Sequence, residues 1–172
     1  YDGEPVTAGG PAAVDSLMDP DPKLLRQIFR AFAHPFYVIR VSDRRIVFAN
    51  QAFFDLVGPI PDGTLCFQAT HRSKAPCTGH EHICPLREVV RTKRPAEVEH
   101  VHFSADHRPI YVEVQGFPVF DDNGTVTHMI EFTRDITDRK NAEIAHRQLF
   151  DRVKLVNAEL NDFAHIVSHD LK

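Results

Sequence analysis

Tryptophan is absent, and cysteine, tyrosine and methionine are scarce at three, three and two residues, so thirteen phenylalanines carry the aromatic core. No stretch approaches the roughly 20 consecutive apolar residues that span a bilayer. No basic region followed by an apolar stretch lies in Tyr1 to Gly10, so these residues are not expected to be a signal peptide. The net charge of −4 supplies no basic field, so neither nucleic acid nor a membrane surface is expected as a partner. The eight glycines fall in the first ten residues and in isolated turns, leaving no Gly-rich loop to cradle the phosphates of a nucleotide.

What remains describes a globular chain, 42% hydrophobic and 26% charged, with eleven histidines as the compositional outlier. Its 172 residues suffice for one domain of ordinary size plus an appendage. The first residue is not Met and the last residues stop inside a polar helical pattern, so a segment of a longer chain is expected.

Residues 1–20 are rich in Gly, Pro, Ala and Asp and read as a flexible lead-in. A helix begins after Asp21-Pro22, with Asp21 as cap and Pro22 in the first turn. Its apolar stripe is Leu24, Leu25, Ile28, Phe29 and Phe32, and His34-Pro35 ends it. Phe36 to Val41 and Arg45 to Ala49 read as a hairpin about Ser42-Asp43-Arg44. Asn50 then caps a short helix to Val57. The middle, Ile60 to Cys84, is irregular and holds all three cysteines, and Pro85 to Thr92 is a second short helix. Beyond Pro95 the period is two. Val98, His100 and His102 face one side and Val101 and Phe103 the other, followed by strands from Ile110 to Phe120 and Val126 to Ile136 about Asn123-Gly124. The fold class is α+β: an antiparallel sheet of five strands with flanking short helices, spanning 21–136.

From 137 to 172 the pattern changes. Ala142, His146, Leu149, Val153, Val156, Leu160, Phe163 and Val167 alternate at four and three residues, a heptad seam that predicts a coiled-coil homodimer. A helix folded back on its own domain is the alternative.

Cys66, His71, Cys77 and Cys84 are spaced by five, six and seven positions. In a reducing compartment, three neighbouring thiols point to metal before disulfide. Three thiolates and one imidazole make a tetrahedral site that suits zinc, with His100 or His102 as alternatives to His71. An iron–sulfur cluster with a His ligand remains open. So does a plain reading of three small buried cysteines among surface histidines.

Two longer strings carry a resemblance. Phe36 to Gly58, FYVIRVSDRRIVFANQAFFDLVG, resembles the opening of a PAS domain, and Gly116 to Glu143, which contains Asp135-Ile136-Thr137-Asp138-Arg139-Lys140, resembles its closing hairpin and exit. The resemblance covers about Leu24 to Glu143 and implies the PAS fold. The Cys, His, Pro-Cys, Cys-Pro-Leu and His-x-His order resembles a Cys/His-rich PAS subset. The flavin-photochemical motif of that family is not matched by Cys66-Phe67-Gln68; the helix Pro85 to Thr92, where an axial haem ligand belongs, has no His, though His82 lies just before it, and a redox, iron–sulfur or haem sensor stays an alternative.

Phe163 to Lys172, FAHIVSHDLK, resembles the phospho-acceptor helix of sensor histidine kinases. That resemblance implies His169 as the phosphorylated residue and Asp170 as the adjacent acid. His169 lies two residues beyond the seam position Val167, about 200° around the helix, so it points outward. Asp170 can hold the imidazole ready as a base. The implied whole is the cytoplasmic sensing and dimerising segment of a two-component kinase. Its ATP-binding domain and response regulator lie outside this chain, which is not an enzyme by itself. A dimerisation module with a structural metal or none, and a small-molecule enzyme at the Cys/His site, are the rival readings.

Overall fold

The computed structural model describes residues 21–78 and 83–170, with side chains as far as 161. The lead-in over 1–20, His80, His82 and the side chains of His169 and Asp170 lie outside the described residues. Helix α1 (Pro22–Ala31) opens the fold, with the Asp21 carboxylate accepting from the Lys23 N–H and Pro22 in the first turn. Strands β1 (Phe36–Arg40) and β2 (Ile46–Ala49) follow, then α2 (Gln51–Val57), α3 (Cys66–His71) and α4 (Pro85–Thr92). Strands β3 (Ala96–Phe103), β4 (Pro109–Phe120) and β5 (Val126–Asp135) complete the sheet, and α5 (Thr137–Asp170) leaves it.

The sheet order is β2-β1-β5-β4-β3, with every neighbouring pair antiparallel. The last strand therefore lies at the centre, so the strand that feeds α5 is held on both edges. Alternation gives the sheet two faces. On the inner face Tyr37, Ile39 and Met129 pack against Phe53, Val57, Leu86 and Val89 of the short helices. The outer face is aromatic: Phe36 stacks on Phe132 at 5.4 Å, and Phe29 of α1 and Phe32, which caps its C-terminus, lie 5.5 and 5.8 Å from Phe36. Gly116 permits the close approach of α4 to the sheet. A Cβ there would stand 2.7 Å from Met129 Sδ and 3.2 Å from Val89 Cγ2.

One element was not expected. The segment from Cys66 to His71 is a short helix, where the sequence read as irregular. Its six residues are too few for a helical apolar period to register. It is fixed by its neighbours instead: the Cys66 N–H donates to Arg44 O at 3.0 Å, and the Ile46 N–H to Thr64 O at 3.0 Å. Helix α5 exposes its seam. Leu149, Val153, Val156 and Leu160 are 47–64% exposed, and every described position from 141 to 161 is exposed. It does not fold back on its own sheet over these residues. Among the described residues no helix is long and apolar enough to cross a membrane.

Asn50 joins three segments. Its Oδ1 accepts from the Phe53 N–H, capping α2, and from the Phe36 N–H at the start of β1, both at 3.0 Å. Its Nδ2 donates to Phe32 O at 3.1 Å and His34 O at 2.9 Å, tying down the link from α1. Losing a cap costs about 0.5–2 kcal/mol, and each buried group left unpaired adds about 1–3 kcal/mol. Asn50→Ala is expected to lower unfolding free energy by roughly 3 kcal/mol or more. Asn50→Asp, which keeps both bonds accepted at Oδ1 and loses both bonds donated by Nδ2, should fall between it and the parent in chemical denaturation.

Candidate functional site

Most sheet faces that pack on helices are apolar. Here the inner face also carries Tyr37, His100, His102, Glu131 and Thr133, all buried. Tyr37 and Glu131 are directly opposed in the β1–β5 register, and the Tyr37 hydroxyl donates to Glu131 Oε1. Burial raises the Glu131 carboxyl to about 8, the Tyr37 bond opposes this, and the charge of Cys84 adds to it. Burial and the Glu131 charge push the Tyr37 hydroxyl well up in turn.

The three cysteines gather beside this pair, and all are free thiols. Cys66 opens α3, and burial pushes its thiol up to about 12. Cys84 caps α4, immediately before Pro85. The Cys77 thiol bonds to it, the N–H groups of Arg87 and Leu86 face it, and Arg44 is near, so its thiol is held below the ordinary range. Those are the conditions that favour a thiolate at a helix start. Cys77, as the donor of the pair, is pushed up.

The histidines form a second group. His71 at the end of α3 faces His100 and His102 on β3, and each of the three offers a ring nitrogen within 4.8 Å of the others. Ring centroids are 5.1 Å apart for His71–His100, 4.7 Å for His71–His102 and 6.1 Å for His100–His102. His71 Nδ1 lies 3.1 Å from Val101 O, and His100 Nε2 lies 2.8 Å from Ile83 O. A carbonyl only accepts, so each of these nitrogens carries the proton. In the neutral form of each ring the other nitrogen, Nε2 in His71 and Nδ1 in His100, is the lone-pair donor. Burial, followed by His71 and His100, depresses His102 well below the usual imidazole range.

Sequence reasoning placed Cys66, His71, Cys77 and Cys84 in one ligand set with His100 and His102 as substitutes. The fold gathers all six residues under the same sheet, but His71 joins the two strand histidines. Among the described residues no group that includes a thiol meets the same spacing. Glu131 and Tyr37 were missed. The available signal was a lone acid in the otherwise apolar run Met129-Ile130-Glu131-Phe132.

Comparison with known proteins gives the family context. Residues 29–141 match the sequence profile of a family described as PAS fold. A bacterioopsin transcriptional activator of Halobacterium salinarum is 27% identical over 122 residues, covering 68% of this chain and 18% of that protein. An RNA-binding light-oxygen-voltage receptor is similar in structure, with TM-score 0.62 and 25% identity over 88% of this chain and 41% of the receptor. A light-oxygen-voltage protein of Rhodobacter sphaeroides, with TM-score 0.54 and 15% identity over 67% of this chain and 69% of its own, shares the fold. The chain thus spans less than a fifth of the activator and less than half of the receptor.

Glu131 gives a pH test. Its folded value of about 8 lies above the unfolded carboxyl value, so the native state binds the extra proton between those values. Stability is greatest below the unfolded value and is lost as pH rises through about 8. Glu131→Gln keeps the acceptor for Tyr37 and removes the titration. Its stability relative to the parent should grow from pH 5 to 9 and reach a few kcal/mol, since each tenfold difference in proton affinity between the folded and unfolded states is worth about 1.4 kcal/mol. A constant difference in thermal unfolding across that range would contradict the assignment.

Proposed function

The chain belongs to the PAS-fold family, and from that premise we propose that it is the sensing and dimerising segment of a two-component sensor histidine kinase. The polar interior under the sheet receives the signal. Helix α5 carries it to His169, with Asp170 as the neighbouring acid. The kinase's ATP-binding domain and the response regulator act on that histidine from outside this chain.

The observation that carries the reading is the junction between sheet and helix. Ile136 is buried, and its N–H donates to Tyr111 O at 2.8 Å. Asp135 Oδ1 accepts from the Thr137 N–H at 2.8 Å, and Thr137 Oγ1 from the Tyr111 N–H at 3.1 Å. Strand β5 thus turns into α5 with no slack. The first turn of α5 is also tied to β3, because Glu99 pairs with Arg139 at 2.7 Å and Lys140 at 2.5 Å. Glu99 immediately precedes His100 on the strand that lines the interior. A shift of β3 is therefore felt at the helix start. Such junctions convert small displacements into the two discrete arrangements of a paired helix.

The exposed seam of α5 supports a parallel pairing of two copies, since a lone helix leaves a long apolar stripe in water. The name of the halobacterial relative favours a second output, transcription activation through a different partner domain. His169 decides between them. In the complete protein His169→Gln should abolish autophosphorylation, and Asp170→Asn should slow it, while ATP binding persists. Phosphate found on His165 instead would overturn the assignment. Replacing Val153 and Val156 with Asp should convert the dimer to monomer by light scattering with the PAS core still folded, because seam charges lose their water on pairing.

A further inference from the structure

We propose that His71, His100 and His102 bind a divalent metal of the zinc class through three imidazole nitrogens, with the fourth position open to water or a small exogenous ligand. This deepens, and rests on, the reading of the interior as the sensory site.

Three observations carry it. First, the nitrogens come from two elements whose placement is rigid. His100 and His102 are two apart on β3 and so share its inner face, while His71 ends α3, which is anchored to the β1–β2 hairpin. Their nitrogens lie within 4.8 Å of one another. Ligands of a tetrahedral zinc at about 2.0–2.1 Å stand roughly 3.4 Å apart, so side-chain rotation of about an ångström closes the site.

Second, the outer nitrogens are already oriented. Histidines that bind metals nearly always donate their other ring N–H to a carbonyl or carboxylate, which fixes the ring and the tautomer. His71 does so to Val101 O and His100 to Ile83 O. Third, His102 is 2% exposed, and its Nε2 has no hydrogen-bond partner among the described residues. A buried polar atom without a partner is costly, and a metal ion supplies one. Imidazole suits zinc, copper, iron and nickel, and three protein ligands leave one position for an incoming group.

The thiol pair Cys77–Cys84 stands apart from this set in the proposal. That separates it from a zinc site built on thiolates, and the separation is measurable. The full chain, stripped with chelator, is titrated with Zn2+ by calorimetry and with Co2+ by absorption. The expected result is one metal per chain and cobalt bands in the visible without a thiolate charge-transfer band in the near ultraviolet. His71→Ala and His102→Gln should weaken Zn2+ binding by about 100-fold or more, since even partners one shell out cost roughly 10–100-fold. A Cys77→Ser/Cys84→Ser double variant should keep the parental affinity. If the His102 variant fails to fold, the half-buried His71 variant and the cobalt spectrum of the parent still decide. No Zn2+ binding by the parent overturns the proposal. So does a thiolate band that disappears in the double variant together with the metal. A parent chain that binds no Zn2+ while His169 is still phosphorylated in the complete protein refutes the site and leaves the kinase reading standing. Metal binding without phosphorylation does the reverse.

Discussion

Burial of ionisable groups on one face of a sheet is the constraint from which the rest of this molecule follows. A carboxyl, a phenol and two imidazoles sit where a Val or Ile would stabilise the fold without cost. Removing such groups from water is expensive unless they are neutral, hydrogen-bonded or coordinated. The protein uses the first two routes visibly. Glu131 is raised toward its protonated form and accepts from Tyr37, while His102 is driven toward its neutral form. These ionisable groups share the inner face with the apolar core formed by Ile39, Phe53, Val57, Leu86, Val89 and Met129. Perturbed titratable groups gathered in one place are the usual mark of a functional site.

The same strands that carry these groups also carry the exit. β5 holds Glu131 and, four residues later, ends at Asp135. β3 holds His100 and His102 on one side and Glu99 on the other. Both strands place buried polar groups on the inner face, and both are fastened to the first turn of α5, one covalently and one through Glu99. The exposed ion pairs on Arg139 and Lys140 contribute little to stability, as surface pairs generally do. They tie the first turn of α5 to β3. Asn50 performs a comparable service at the opposite end, holding α1, β1 and α2 in register.

Much of this was legible in the sequence because the relevant signals are local. Asp21-Pro22, Asn50 and Asn123-Gly124 mark a helix start, a cap and a hairpin through the chemistry of a few adjacent residues, and each element lies where those signals put it. The period-two pattern of β3 correctly put His100 and His102 on one face. The heptad spacing correctly left an apolar stripe on α5. What was not legible depends on contacts distant in sequence. Helix α3 exists because its start is hydrogen-bonded to the β1–β2 hairpin, some twenty residues back. His71 meets the strand histidines about thirty residues away because α3 packs against β3. Glu131 reads as an ordinary surface acid until β1 brings Tyr37 opposite it. Spacing along the chain therefore favoured the cysteines as partners of His71, whereas tertiary placement brought the imidazoles together.

The central claim is that occupancy of the interior is communicated to α5. Hydrogen exchange of the backbone amides, followed by mass spectrometry on the full chain with and without stoichiometric Zn2+, tests it directly. The expected result is that Zn2+ alters exchange in two places at once: in β3 around His100 and His102, and in the first turns of α5 from Thr137 onward. Altered exchange confined to α3 and β3, with α5 unchanged while the metal is bound, would contradict the claim.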